Sequence, residues 1–400
     1  MNRFDFIFTL FGLLVINICF SKQIDENSGY LQVKNGELYY EVKGQGKETI
    51  VFIHDGLVHG EIWENQFLVF ADNFRVIRYD RRGYGRSKKP EEKYSNIEDL
   101  RAVFDYLDIN KAIVFGMSAG GGLAIDFTLK YPEKISKLIL VGAVVSGFSY
   151  SDHLLTRGGR LTAEDYANQE KLLEYIVKED PYEIAPINKE AREKLWEIMK
   201  DNTHNIDSSK DRLTEQPERP AVKVLSEIKV PTLIIMGEYD IPDVFVHAGA
   251  IESGIKYSQK VIINNAGHLV PYEQPNIFNE QVFKFLKGAD FFWTLNTQGV
   301  LEAVEMFERM RKNDQNWMPF DETKMNILGY QYLQSGKINE AIDLFKLNVQ
   351  GYPLSANVYD SLAEAYMINK QDELAVNNYT KSLELNPDNT NAIEMLNKLK

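Results

Sequence analysis

Short runs of apolar, β-branched residues recur between Tyr30 and Ile263, separated by stretches rich in helix-forming residues. Tyr30–Val33, Glu37–Val42, Thr49–His54, Phe74–Tyr79, Ala112–Phe115, Leu138–Gly142, Thr232–Met236 and Val261–Ile263 carry the strand pattern. Several are continuously apolar, as strands covered on both faces must be. Ile97–Leu107 and Leu123–Lys130 have the helical pattern between them. This alternation predicts a mostly parallel α/β sheet with crossover helices.

Two regions break the alternation. Between about Val145 and Val222 the chain is charged, favours helix and is interrupted by Pro181, Pro186, Pro217 and Pro220. Sheet strands flank it, so the segment must leave the sheet and return. The expectation is a helical cap over the strand ends at about 147–222. Beyond about Lys287 a repeat takes over. A fixed offset pairs Leu328 with Leu362, Gly329 with Ala363, Tyr332 with Tyr366, Ala341 with Ala375, Phe345 with Tyr379 and Pro353 with Pro387. Small residues fall where two helices must approach closely, aromatics fill the gap, and proline ends the second helix. This part resembles the tetratricopeptide repeat, with complete units at Glu322–Ser355 and Ala356–Asn389. Met325 and Tyr359 stand where that family often has tryptophan, and Asn348 and Ser382 replace a usual alanine. Ala303 and Phe307 suit the second helix of a degenerate earlier unit. Asn391–Leu399, with Ala392, Leu396 and Leu399 on one face, suits a capping helix. An all-α repeat domain is expected at 288–400. So short an array falls below the three or so repeats that stability usually needs, so it is expected to dock on the first domain.

The N-terminus has the form of a targeting segment. Met1-Asn2-Arg3 is a short basic start, and Phe6 to Phe20 is almost wholly apolar, too short for a comfortable membrane span. Cys19 and Ser21 suit the −3 and −1 positions of cleavage before Lys22. The expectation is a signal peptide at 1–21 and a periplasmic or secreted mature chain, with an uncleaved anchor or lipidation at Cys19 left open. Cys19 is the only cysteine, which excludes disulfides, cysteine nucleophiles and thiolate metal sites from a chain starting at Lys22. The formal charge of −13 and the lack of a basic cluster argue against a nucleic-acid partner.

The strongest chemical signal is Gly116-Met117-Ser118-Ala119-Gly120, which follows the run Ala112–Phe115 and opens a helical stretch. A serine on a sharp strand-to-helix turn is exposed at the strand end, and the helix N-terminus behind it favours developing negative charge. A hydroxyl needs a base within reach. His268, after a strand in Asn265-Ala266-Gly267-His268, is the best candidate. Asp240, in Gly237-Glu238-Tyr239-Asp240, can orient that base, with Glu238 and Asp243 as alternatives. A tetrahedral oxyanion needs two convergent N–H donors. Ala119 can supply one, and the loop His54-Asp55-Gly56-Leu57 the other. His59, His153, His204 and His247 show no ligand spacing, and no phosphate-cradling loop is present, so no metal or cofactor is expected.

With nucleophile, acid and histidine in that order, 22–287 resembles the α/β-hydrolase family. Further resemblances are His54 and Gly56, Trp63 soon after them, and Asp80-Arg81-Arg82-Gly83-Tyr84-Gly85-Arg86-Ser87, which is similar to the family's D-x-R-G-x-G-x-S segment. The resemblance implies Ser118, Asp240 and His268 as catalytic residues, Gly56 and Ala119 as oxyanion donors, and a small-molecule acyl substrate. Asp55 departs from the pattern, since the family usually has glycine there; the expectation is that its carboxylate bonds within its own loop. Serine at 118 disfavours the family's dehalogenases and epoxide hydrolases. The expected activity is that of a carboxylesterase, with aminopeptidase, thioesterase and carbon–carbon hydrolase activities open. The alternative is an inactive hydrolase domain in a scaffold whose repeats bind a peptide or protein.

Overall fold

The computed structural model describes residues 28–149, 151, 162, 164 and 168–399. The expected signal segment with Cys19, the start at Lys22, His153 and part of the expected cap lie outside them. No helix among the described residues is long and apolar enough to cross a membrane.

Eight strands form one sheet: β1 (Ser28–Val33), β2 (Gly36–Lys43), β3 (Thr49–Ile53), β4 (Arg75–Tyr79), β5 (Ala112–Met117), β6 (Ile135–Val141), β7 (Thr232–Gly237) and β8 (Ser258–Ile263). Their order is β1-β2-β4-β3-β5-β6-β7-β8, with β2 antiparallel to its neighbours and the other pairs parallel. Every strand expected from the apolar runs is present within a few residues. Each residue of β5 and β7 is buried, as the uninterrupted apolar runs require.

Helices α1 (Glu64–Phe70), α2 (Asn96–Tyr106) and α3 (Ala119–Lys130) follow β3, β4 and β5. One core layer joins Val103 and Phe104 of α2 to Ile125 and Phe127 of α3. The opposite layer gathers Phe67 and Phe70 of α1 with Trp63 and Phe278. The chain passes from β3 outward to β4 and then crosses back to β5. The loops after β3 and β5 therefore diverge, and such a reversal leaves a crevice at the carboxyl ends of the strands.

The insertion between β6 and β7 holds α4 (Gln169–Glu174), which widens into a looser turn at Tyr175–Glu179, and α5 (Lys189–Met199). Leu173, Val177, Leu195 and Met199 enter the same apolar cluster as Trp63 and Leu269, so this segment is anchored on the sheet domain. Its return is tied to its departure where Val222 N donates to Ser146 O at 3.1 Å.

After α6 (Pro242–Gly254) and the short α7 (Val270–Glu273), α8 runs unbroken from Pro275 to Thr297. Phe285 and Ala289 belong to the sheet domain's core, whereas Phe291 and Leu295 belong to the helical core beyond it. The boundary expected at Lys287 thus falls inside a helix that serves both cores. Buried Lys137 of β6 reinforces the junction by pairing with Asp290 at 3.0 Å. Six helices follow: α9 (Val300–Asn313), α10 (Glu322–Gln334), α11 (Ile338–Gly351), α12 (Ala356–Ile368), α13 (Asp372–Leu385) and α14 (Thr390–Leu399). Gly329 lets the Phe345 ring lie against α10, since an added Cβ would stand 2.5 Å from it. Asn348 Nδ2 donates to Glu322 O at 3.1 Å, and Ser382 Oγ donates to Ala356 O at 2.9 Å. The same tie is therefore made at the same offset in both helix pairs.

Candidate active site

Ser118 sits between β5 and α3 with φ 51° and ψ −116°. This is a strained backbone for a residue with a side chain, and it persists only when the surroundings enforce it. They do so through close approach. A Cβ on Gly116 would meet Gly120 O at 2.5 Å, and one on Gly120 would meet His54 O at 2.2 Å. Glycine at these positions lets α3 begin directly against the end of β3. Ser118 N donates to Val141 O at 2.8 Å, which moors the turn to the end of β6.

The next residue, Gly142, links this turn to the histidine. It has φ 50°, and an added Cβ would stand 2.8 Å from His268 Cε1 and 3.2 Å from Asp240 Oδ2. Ser118 and the His268–Asp240 pair thus rest on the same two-residue corner. His268 Nδ1 bonds Asp240 Oδ1 at 2.7 Å, both side chains are buried, and that oxygen also accepts from Ile241 N at 2.7 Å. The alternative acids lie elsewhere. Glu238 accepts from Asn265 N at 3.0 Å, and Asp243 takes both Ser151 N and Ser151 Oγ. The His268 backbone N–H donates to Tyr182 O at 2.7 Å, so the insertion between β6 and β7 grips the histidine loop.

Burial by itself would push the His268 imidazole down. The Asp240 carboxylate overrides this, Glu183 and Asp55 add to it, and the ring is lifted to about 9. Asp55 is itself held above the ordinary carboxylate range, by burial first and with Glu183 acting in the same direction. Its Oδ1 accepts from Leu57 N at 3.0 Å and Val58 N at 2.7 Å, so the carboxylate does bond within its own loop. Gly56 faces Ala119 across the crevice, the position of its absent Cβ lying 3.6 Å from Ala119 Cβ. Ala119 opens α3, where the first N–H groups of a helix have no partner within it.

The structure therefore places Gly56 against Ala119, beside Ser118, and rests the Ser118 turn and the His268–Asp240 pair on the adjacent residues Val141 and Gly142. Sequence reasoning missed Gly142 and Glu183. In sequence Gly142 was only the last residue of the expected strand Leu138–Gly142, and Glu183 comes from an insertion whose path no pattern revealed. Three other described histidines bond groups outside this site. His59 meets Asn205 Nδ2 at 3.2 Å, His204 meets Gly85 O at 3.0 Å, and His247 accepts from Val145 N at 3.0 Å. Among the described residues, no group of His, Cys, Asp or Glu is arranged to hold a metal ion.

The family model described as alpha/beta hydrolase fold matches residues 48–275. The chain is 30% identical over 272 residues to a 2-hydroxy-6-oxononadienedioate/2-hydroxy-6-oxononatrienedioate hydrolase of Escherichia coli (strain K12), covering 63% of this chain and 92% of that enzyme. A hydrolase of the same name from Pseudomonas putida is 29% identical over 283 residues, covering 65% and 97%. Among solved structures, Est816, described as an N-acyl homoserine lactone degrading enzyme, superposes with a TM-score of 0.52 at 25% identity, over 64% of this chain and 100% of that one. The family match ends at residue 275, before most of the helical C-terminal region. Sheet order, strand-to-helix turn and family match agree, and the chain belongs to the alpha/beta hydrolase fold family as a hydrolase.

Proposed function

We propose that the protein is a serine hydrolase that cleaves an ester or related acyl compound through an acyl-enzyme on Ser118. The observation that carries this reading is the Ser118 turn moored to the corner on which the His268–Asp240 pair rests. Ser118 Oγ attacks the acyl carbon while His268 takes its proton. Asp240 fixes the ring with Nδ1–H toward itself and stabilises the imidazolium. The N–H groups of Gly56 and Ala119 hold the oxyanion. Collapse breaks the bond to the leaving group, which receives the proton from His268. Water, deprotonated by the same base, then releases the acid and restores Ser118.

The likeness to hydrolases named for an oxo-dioate favours a second reading, cleavage of a carbon–carbon bond in such a dianion. Asp55 and Glu183, buried beside His268, are acidic groups where a buried dianion would need cationic partners. A neutral acyl substrate suits the crevice better. The C-terminal helix pairs, read as tetratricopeptide-like repeats at 288–400, would add a surface for a protein or peptide. A scaffold with an inactive hydrolase domain is the remaining alternative. Acting as a cleaved signal peptide, residues 1–21 would direct the protein out of the cytoplasm.

The test is labelling with a fluorophosphonate probe, wild type against Ser118→Ala, followed by turnover of p-nitrophenyl esters and of the dioate side by side. Labelling that is lost in the variant, with ester turnover, is the expected result. A folded wild type that stays unlabelled and cleaves no ester would overturn the reading.

A further inference from the structure

We propose that Arg81 is a positioning residue of the oxyanion hole, its guanidinium fixing the Asp55–Gly56 peptide so that the Gly56 N–H points at the developing oxyanion. The inference rests on the serine-hydrolase reading and adds to it a residue that no family motif singles out. Arg82, one position later, holds the arginine place of the D-x-R-G-x-G-x-S-like segment and spends its guanidinium on Asp99, Lys34 O and Asn35 O. Arg81 points elsewhere. Its Nη2 donates to Asp55 O at 2.9 Å, and its backbone N–H donates to His54 Nε2 at 2.9 Å.

These two bonds act together on one carbonyl. Because His54 Nε2 accepts, the ring proton must sit on Nδ1, which lies 2.8 Å from Asp55 O and donates to it. Burial, and then the Arg81 charge, hold the imidazole well below its ordinary value, so this donor stays neutral. Asp55 O thus receives two hydrogen bonds, one of them from a cation. A trans peptide directs its C=O and N–H to opposite sides, and the chain has no cis bond among the described residues. Anchoring the Asp55 carbonyl on His54 and Arg81 therefore turns the Gly56 N–H the other way. The following peptide is held too, since Tyr84 Oη donates to Gly56 O at 3.2 Å.

The guanidinium is itself fixed. It lies 4.7 Å from the Tyr84 ring centroid, Arg81 is only 6% exposed, and its Nε finds no hydrogen-bond partner among the described residues. A buried cation with an unmet N–H is costly to keep for packing alone. A cation on the carbonyl oxygen does what a neutral donor does less well: it polarises the peptide and strengthens the N–H at its other end. It also sets a positive charge on the loop that carries the Asp55 carboxylate.

The test uses the full chain, with Arg81→Met, which keeps an apolar stem over Tyr84, and Arg81→Lys, which keeps the charge. Three quantities are read: the rate of fluorophosphonate labelling, kcat and KM on p-nitrophenyl butyrate, and the affinity of a trifluoromethyl ketone, whose adduct carries an oxyanion. For Arg81→Met we expect labelling and kcat to fall about tenfold to a hundredfold, with ketone affinity weakened by the same factor. KM should change less than about twofold, because the interaction is made mainly in the transition state. Arg81→Lys should lie between the two. Added guanidinium ion should restore part of the rate to Arg81→Ala.

Labelling of Arg81→Met at the wild-type rate, with Ser118→Ala unlabelled, would overturn the inference and leave the serine reading intact. An unlabelled wild type would remove that reading and this inference with it. If Arg81→Met does not fold, Arg81→Lys decides, because a loss of kcat without a matching loss of ketone affinity would assign Arg81 a purely structural part.

Discussion

The crevice around Ser118 and the helix pairs beyond Thr297 solve opposite problems with the same chain. In the crevice, residues far apart in sequence meet through strained backbone and buried charge: Ser118 at φ 51°, Gly142 at φ 50°, and three carboxylates around His268. In the helix pairs, neighbours in sequence meet through small residues under aromatic rings, and the tie from Asn348 to Glu322 O recurs from Ser382 to Ala356 O. The first arrangement is specific because any displaced group loses its partner. The second is tolerant because each contact is local and repeated. The lesson is that strain and unfavourable charge collect where chemistry is proposed, and regular packing collects where only shape is needed.

Several substitutions would break or sharpen that contrast. Ser118→Ala has the largest expected effect, a fall in kcat on the order of 10⁴-fold or more with the melting temperature nearly unchanged. Titration with the fluorophosphonate probe and calorimetry check both halves. Gly142→Ala should follow, with activity down on the order of a hundredfold, because the new methyl would stand 2.8 Å from His268 Cε1 on a backbone that favours glycine. A steady-state assay with esters checks it, and retained activity would show that the corner is not a constraint on the base.

The pH dependence is a smaller effect with a definite sign. In the proposed mechanism His268 must be neutral to accept a proton, and its imidazole is raised to about 9, so kcat/KM should climb with pH toward a midpoint near that value. Asp55→Asn and Glu183→Gln each remove a negative charge that favours the imidazolium. Both should move the rising limb to lower pH, and the pH profile of ester turnover reads the shift directly. The raised histidine also links to stability. Its contribution is full below the unfolded imidazole's value and is lost as pH rises through about 9.

Phe345→Ala, on the other side of the comparison, removes a fully buried ring between α10 and α11. It should cost about 3–5 kcal/mol of local stability, seen as faster amide exchange after Thr297, and leave ester turnover within about twofold. A large loss of activity would show that the helix pairs shape the crevice through α8, the one helix among the described residues that enters both cores.

The eight strands were legible because a strand buried on both faces must be apolar throughout, and β5 and β7 are. The Ser118 turn was legible because tight approach to Gly120 O and His54 O admits only glycine at 116 and 120. The alternation of strand and helix fixed the fold class, and the order of Ser118, Asp240 and His268 along the chain pointed to the family. The sequence named Asp240 as the acid for the histidine but left Glu238 and Asp243 open beside it. Glu238 and Asp240 follow β7 directly and Asp243 opens α6, and the path of the chain there puts Asp240 at 2.7 Å. Tertiary structure alone also brought Glu183 and Arg81 to the crevice and carried α8 through the expected boundary at Lys287. The physical reason is common to all of these. Periodicity records which face of an element is buried, a local property, whereas a charge's partner is set by loops whose closure no local pattern encodes.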